Sequence, residues 1–186
     1  MSLGVAFLTG QSLPASCELS PLQQQFAQQL IRKGVHLEPF NFPYREDMQP
    51  YRPRSLPLAG CANVWQYFGS RSRRFSDRYR QCLCQLFDKH PRTLILAGSC
   101  GLELFNNVDL PADYRQRVHV IAYGPVARHR GRFAVTLVQG HHDCLSSWYF
   151  PQVDYGISCG HMNYLHSPEF LLIVRQQIEL MLASVT

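Results

Sequence analysis

Five consecutive residues, Ala97-Gly98-Ser99-Cys100-Gly101, have the form small-x-nucleophile-x-small. They follow the apolar run Thr93–Ala97 and lead into Leu102-Glu103-Leu104, so the chain passes from a strand to a helix through a very tight turn. A nucleophile on such a turn sits in strained backbone, and the residues two before and two after it must be small. Its hydroxyl is then held out above a sheet. The N-terminus of the next helix points at it, which favours developing negative charge. The chemistry this serves is attack by Ser99 on an acyl carbon, with a base to take the hydroxyl proton and a carboxylate to orient the base. The bland alternative is an ordinary glycine-serine turn. Cys100 is the rival nucleophile, but centring the turn on it puts Leu102 where a small residue is needed. Its expected role is to offer a backbone N–H to an oxyanion.

Two more polar clusters also follow apolar runs. One run ends in Gly140-His-His-Asp143, and another is followed by Ser158-Cys-Gly160-His161. Read from the residues alone, Asp143 is either a functional carboxylate or a turn aspartate. His161 is either a base or an isolated histidine. His141, His142, Asp143 and His161 could be read as a metal set. Adjacent histidines point in different directions, however, and no helical His-x-x-x-His is present, so neither a metal nor a cofactor is expected.

The elements that must position these residues alternate along the chain. Val5–Leu8 reads as a first strand, followed by a loop over 10–19. Ser20-Pro21 opens a helix as N-cap and first-turn proline, with Leu22, Phe26, Leu30 and Ile31 on one face and Gly34 as its stop. Val35–Phe42 is a second strand. Residues 43–60 contain Pro43, Pro50, Pro53 and Pro57, which break any helix and predict a long loop or lid. From about Trp65 to His90 the pattern is helical, with Phe75, Tyr79, Leu83, Leu86 and Phe87 on one face. Arg71, Arg73, Arg74, Arg78 and Arg80 crowd the same stretch. Thr93–Ala97, Val118–Tyr123, Ala134–Val138 and Val153–Ile157 read as further strands, with a short helix from Gly101 through Leu104. The last helix opens at Ser167-Pro168 and carries the stripe Phe170, Leu171, Val174, Ile178 and Leu182. This alternation predicts an α/β fold, a mostly parallel sheet of about six strands with helices on both faces. Sites in such sheets collect at the carboxyl ends of the strands.

Composition narrows the classes. The 186 residues fit one domain spanning 1–186, and 46% apolar against 17% charged residues is enough to build a core. No apolar run approaches the roughly 20 residues that span a bilayer, so stable membrane insertion is not expected. Met1–Gly10 has no basic residue before its apolar stretch, which reads as a strand rather than a signal peptide. Seven scattered cysteines argue for a reducing compartment, the cytoplasm, and Cys82-x-Cys84 lacks the second half of a zinc site. The net charge of +5 is modest, and no ribbon of aromatic and basic residues points to nucleic acid.

Ser99 in its elbow, Asp143 three residues after Gly140, and His161 in a Gly-His pair before the last helix follow the order Ser, Asp, His. In this the chain resembles the α/β-hydrolase superfamily, in a compact form. Ala97 stands where that family's G-x-S-x-G has its first glycine. The resemblance implies an α/β-hydrolase fold, and the chain departs from it in being short: no strand is expected before Val5 to form the usual antiparallel edge, and little room is left between Tyr123 and Ala134 for a cap, so a reduced form is expected. The resemblance implies Ser99 as nucleophile, Asp143 as acid and His161 as base. It also implies an oxyanion hole made by the N–H groups of Cys100 and Gln11, with Ser12 next in line and Gly10 letting the backbone approach the substrate. The implied reaction is cleavage of a small ester or thioester through an acyl-enzyme. Residues 43–80 become the expected substrate cover. The arginines of that segment, Arg74 and Arg78 among them, could line an entrance for a carboxylate, a phosphate or an acidic acyl carrier protein, or simply form a solvated helix face. Two competing readings are a catalytically silent small-ligand binder on the same fold and a hydrolase centred on Cys100.

Overall fold

The structure is a computed structural model and describes residues 2–13, 15–45 and 49–183. Residues 46–48 of the expected cover segment lie outside the described residues. Six strands, β1 (Leu3–Thr9), β2 (Val35–Asn41), β3 (Arg92–Gly98), β4 (Val118–Tyr123), β5 (Ala134–Gly140) and β6 (Tyr155–Ile157), form one sheet. Its order is β2-β1-β3-β4-β5-β6, and every neighbouring pair is parallel. The helices are α1 (Pro21–Gln28), α2 (Leu56–Gly69), α3 (Arg73–Asp88), α4 (Gly101–Asn106), α5 (Cys144–Tyr149) and α6 (Pro168–Ala183).

The central strands read as continuous apolar runs because both of their faces are covered. Ala6, Leu8, Ile95 and Ala97 pack with Leu83 and Phe87 of α3 and Leu102 and Phe105 of α4. Their neighbours Val5, Phe7, Leu94 and Leu96 turn the other way, toward Phe26 of α1 and Phe170 and Val174 of α6. Phe26 and Phe170 stack with ring centroids 5.3 Å apart. Each such buried phenylalanine contributes roughly 2–3 kcal/mol of apolar burial. This is the expected α/β fold with helices on both faces, and its layout is consistent with a reduced α/β-hydrolase arrangement. Among the described residues no helix is long and apolar enough to cross a membrane.

Several boundaries differ from the sequence expectation. The helical stretch expected from Trp65 to His90 is two helices, separated at Ser70–Ser72, with the Ser72 side chain capping α3 at the Phe75 N–H. Helix α2 begins at Leu56, inside the region expected to be loop. Pro57 lies in its first turn, where a missing N–H leaves no helical bond unmade. Helix α1 ends at Gln28, well before Gly34, which instead adopts a φ of 85° in the turn entering β2. Ile31 falls beyond the helix and is exposed. Strand β6 holds three residues rather than five, and α5 was not anticipated.

One buried ion network fixes α4, the helix that leaves the elbow. The Glu103 side chain is fully buried. It accepts from the Arg128 Nε at 2.7 Å, the Arg128 N–H at 3.0 Å, Asn107 Nδ2 at 3.1 Å and Arg71 Nε at 3.3 Å. Burial alone would raise this carboxyl, but the Arg128 and Asn107 donors outweigh it and hold it below its ordinary range. Glu103→Ala leaves two arginines and the Asn107 amide without their shared acceptor. Both guanidiniums are partly solvated, so the expected loss is about 2 kcal/mol rather than the larger cost of a fully buried pair. A lowered urea midpoint at unchanged slope checks it.

Candidate active site

The parallel register brings the ends of four strands to one edge, with Gly98 beside Tyr123 and Gly140 beside Ile157. Ser99, Asp143 and His161 all follow these ends. Ser99 has a φ of 52°, a left-handed conformation that costs a non-glycine residue on the order of 1 kcal/mol or more. It is held from both sides: its N–H donates to Tyr123 O at 3.1 Å, and its carbonyl accepts from the Val126 N–H at 2.9 Å. Gly101 makes the turn possible, because a Cβ there would stand 1.9 Å from the Leu8 carbonyl oxygen of β1.

Ser99 Oγ lies 3.1 Å from His161 Nε2. The other ring nitrogen, Nδ1, lies 3.0 and 2.9 Å from the two oxygens of Asp143. Asp143 is itself the N-cap of α5, accepting from the Ser146 N–H at 3.0 Å. The two sequence readings of this residue, turn aspartate and functional carboxylate, therefore both describe it. Tyr164 donates its hydroxyl to Asp143 Oδ2 at 2.7 Å, while its oxygen accepts from the Gly140 N–H at 2.7 Å. Burial pushes the Asp143 carboxyl up. The hydrogen bonds from His161, Tyr164 and Ser146 more than offset that and hold it well below the usual carboxylate range. The Tyr164 phenol is pushed up, first by burial and then by Asp143, so it stays a donor. The result is an ionised, fully buried carboxylate behind a partly exposed imidazole that contacts a serine hydroxyl. Such an array can deprotonate a serine and stabilise the imidazolium that forms.

No protein-family model matches this chain, and no curated protein does.

The remaining expected residues are placed as follows. Among the described residues the Cys100 N–H donates to no other residue; it faces only its own sulfur, beside Ser99. The Cys100 thiol is buried, and burial pushes it up to about 12, so it stays protonated. Gly10 is packed tightly against Cys100 Sγ and Asn63 Oδ1; a Cβ at Gly10 would lie 2.7 and 2.4 Å from them. The N–H of Gln11, the expected second oxyanion donor, is occupied: it donates to Gln66 Oε1 of α2 at 2.7 Å. Gln66 Nε2 returns a bond to Gln11 Oε1 at 3.1 Å. Ser12 is half-buried, and its carbonyl accepts from Arg54. Arg74 and Arg78 make no contact with Ser99, Asp143 or His161; they line a cavity of about 540 Å³ between α2 and α3, which Gln11 and Gln66 also line. The His141 ring covers Gly156.

Three residues that the sequence reading missed complete the site. Tyr164 and Gln66 are described above. Gly124, directly after β4, has a φ of 53°, and a Cβ there would lie 3.0 Å from Asp143 Oδ2 and 3.2 Å from His161 Nδ1. Its position after a strand, in Tyr123-Gly124-Pro125, was the available signal.

The depressed Asp143 carboxyl has a pH consequence. A carboxyl whose folded pKa lies below its unfolded value stabilises the fold fully above about pH 4–5, the ordinary carboxylate range, and loses that contribution as pH falls toward the folded value. The stability gap between wild type and Asp143→Asn is therefore expected to be constant from neutral pH to about pH 5 and to close below about pH 4. Thermal melts of both proteins across that range check it.

Proposed function

We propose that this protein is a serine hydrolase that cleaves a small ester or thioester through an acyl-enzyme, on a compact scaffold of the α/β-hydrolase type. One observation carries the reading. A serine on a left-handed turn at the end of a central parallel strand touches an imidazole, which touches a buried carboxylate, all within hydrogen-bond distance.

In the proposed reaction His161 Nε2 takes the Ser99 proton as Oγ adds to the substrate carbonyl. The imidazolium then gives that proton to the departing alcohol or thiol. Asp143 holds the proton on Nδ1 and stabilises the imidazolium, and Tyr164 and Ser146 hold Asp143. The Cys100 N–H and the Gln11 N–H face the developing oxyanion, the second after the Gln66 carboxamide has swung away. Water deacylates the enzyme by the same route in reverse. No metal or cofactor takes part in this scheme. Cys61, Cys82, Cys84, Cys100, Cys144 and Cys159 stand outside any disulfide, which suits a reducing compartment such as the cytoplasm. A nucleophilic Cys100 is disfavoured because its thiol is buried and protonated.

Fluorophosphonate is expected to label the wild type at Ser99 and to leave Ser99→Ala unlabelled, read by intact mass. Equal labelling of both proteins overturns the proposal. Asp143→Asn should lower kcat for a p-nitrophenyl ester by about a thousandfold or more while the protein stays folded. Gln66→Ala, which releases the Gln11 N–H, is expected to raise kcat/KM for p-nitrophenyl acetate by about fivefold, the worth of one displaced hydrogen bond.

A further inference from the structure

We infer that the substrate of this site carries an anionic group, a carboxylate or a phosphate, which is seated on Arg74 and Arg78 in the cavity between α2 and α3; this rests on the hydrolase reading above. The five arginines of residues 71–80 divide into two kinds. Arg71 is tied to buried Glu103 at 3.3 Å, and Arg80 lies 3.6 Å from Asp109. Those two serve the fold. Arg74 and Arg78 have no carboxylate partner among the described residues, and Arg78 only lies over the Tyr79 ring, 5.5 Å from its centroid. They are four residues apart on α3, so they share a face and repel one another. Asp77, between them in sequence, is exposed, forms no ion pair among the described residues and does not line the cavity.

Both arginines line the same cavity, and among the described residues no acidic one does. Its volume of about 540 Å³ suits a small molecule and not a folded carrier protein. Trp65, Phe75 and Tyr79 supply apolar walls. The cavity also reaches Gln11 and Gln66, where the proposed oxyanion donor is held. One compartment thus joins apolar walls, two exposed guanidiniums that have no carboxylate partner among the described residues, and the N–H that a substrate carbonyl would take from Gln66. Guanidinium groups keep their charge at any physiological pH and grip carboxylate or phosphate oxygens in pairs. An ester with an acidic end would make charge-assisted bonds there that a neutral ester cannot.

The test uses two matched pairs of substrates: p-nitrophenyl butyrate against mono-p-nitrophenyl succinate, and butyryl N-acetylcysteamine against butyryl coenzyme A. The first pair adds a carboxylate to the acyl side, and the second adds phosphates to the leaving group. With spontaneous hydrolysis subtracted, wild type is expected to favour the anionic member of at least one pair by about tenfold in kcat/KM, mostly through KM. The pair that responds identifies the anion. Arg74→Gln/Arg78→Gln should abolish the preference, and Arg74→Lys/Arg78→Lys should restore part of it, with circular dichroism checking that each variant is folded. Turnover with no preference in either pair, a preference that survives the glutamine variant, or turnover of acyl carrier protein substrates alone overturns the inference and leaves the hydrolase reading standing. If nothing is turned over and Ser99 is not labelled, the hydrolase reading fails instead. The inference is then decided by binding of the same compounds to Ser99→Ala, followed by tryptophan fluorescence. Anionic members bound about tenfold tighter, with the advantage lost in the glutamine variant, support it, and equal affinities overturn it.

Discussion

The backbone of Ser99 is the constraint on which the rest of the site depends. A left-handed φ at a non-glycine residue relaxes unless its surroundings forbid relaxation. Here the N–H and the carbonyl of Ser99 are both committed, one to the last residue of β4 and the other to the loop that follows it. On the far side of the turn, Gly101 lets α4 press directly against the β1 backbone. The elbow is thus trapped between two strands, and α4 is locked in turn by the buried Glu103 network. None of these contacts touches the hydroxyl. They decide only where it points, and a parallel sheet with close-packed faces holds that direction without needing a large domain around it.

Asp143 is the second fixed point, and it is fixed electrostatically. A carboxylate with no exposed side-chain surface is tolerated only when its lone pairs are answered. Three donors answer it, from α5, from Tyr164 and from the imidazole. Tyr164 is pinned by the Gly140 N–H at the end of β5, so the carboxylate is referred back to the same sheet edge as the serine. Capping α5 and orienting His161 are one act of a single side chain. The short helix and the base therefore cannot be moved independently.

How much of this was legible in the sequence follows from what each feature needs. Strands buried on both faces leave unbroken apolar runs, so β4 was readable from Val118 to Tyr123 without error at either end. Residues that follow such runs must gather at one edge of a parallel sheet, which is why Ser99, Asp143 and His161 could be singled out although 44 and 18 residues separate them in turn. Tyr164 carried no pattern of its own, since its value lies in where a single short turn delivers one oxygen. Helix α2 was obscured because proline was read as a breaker wherever it stood, although its effect depends on whether an N–H is needed there. The arginines could not be sorted by composition either. The acids that claim Arg71 and Arg80 sit on other elements, 32 and 29 residues away in the chain.

The bond between Gln66 and Gln11 has one more implication. What sits on the Gln11 amide is a carboxamide oxygen, an uncharged sp2 acceptor like a carbonyl oxygen. An aspartate or glutamate in its place would have to be stripped of its counter-charge whenever a guest arrived. A neutral carboxamide can leave without separating charge, and its departure releases the Gln11 N–H and the Gln11 Oε1 together.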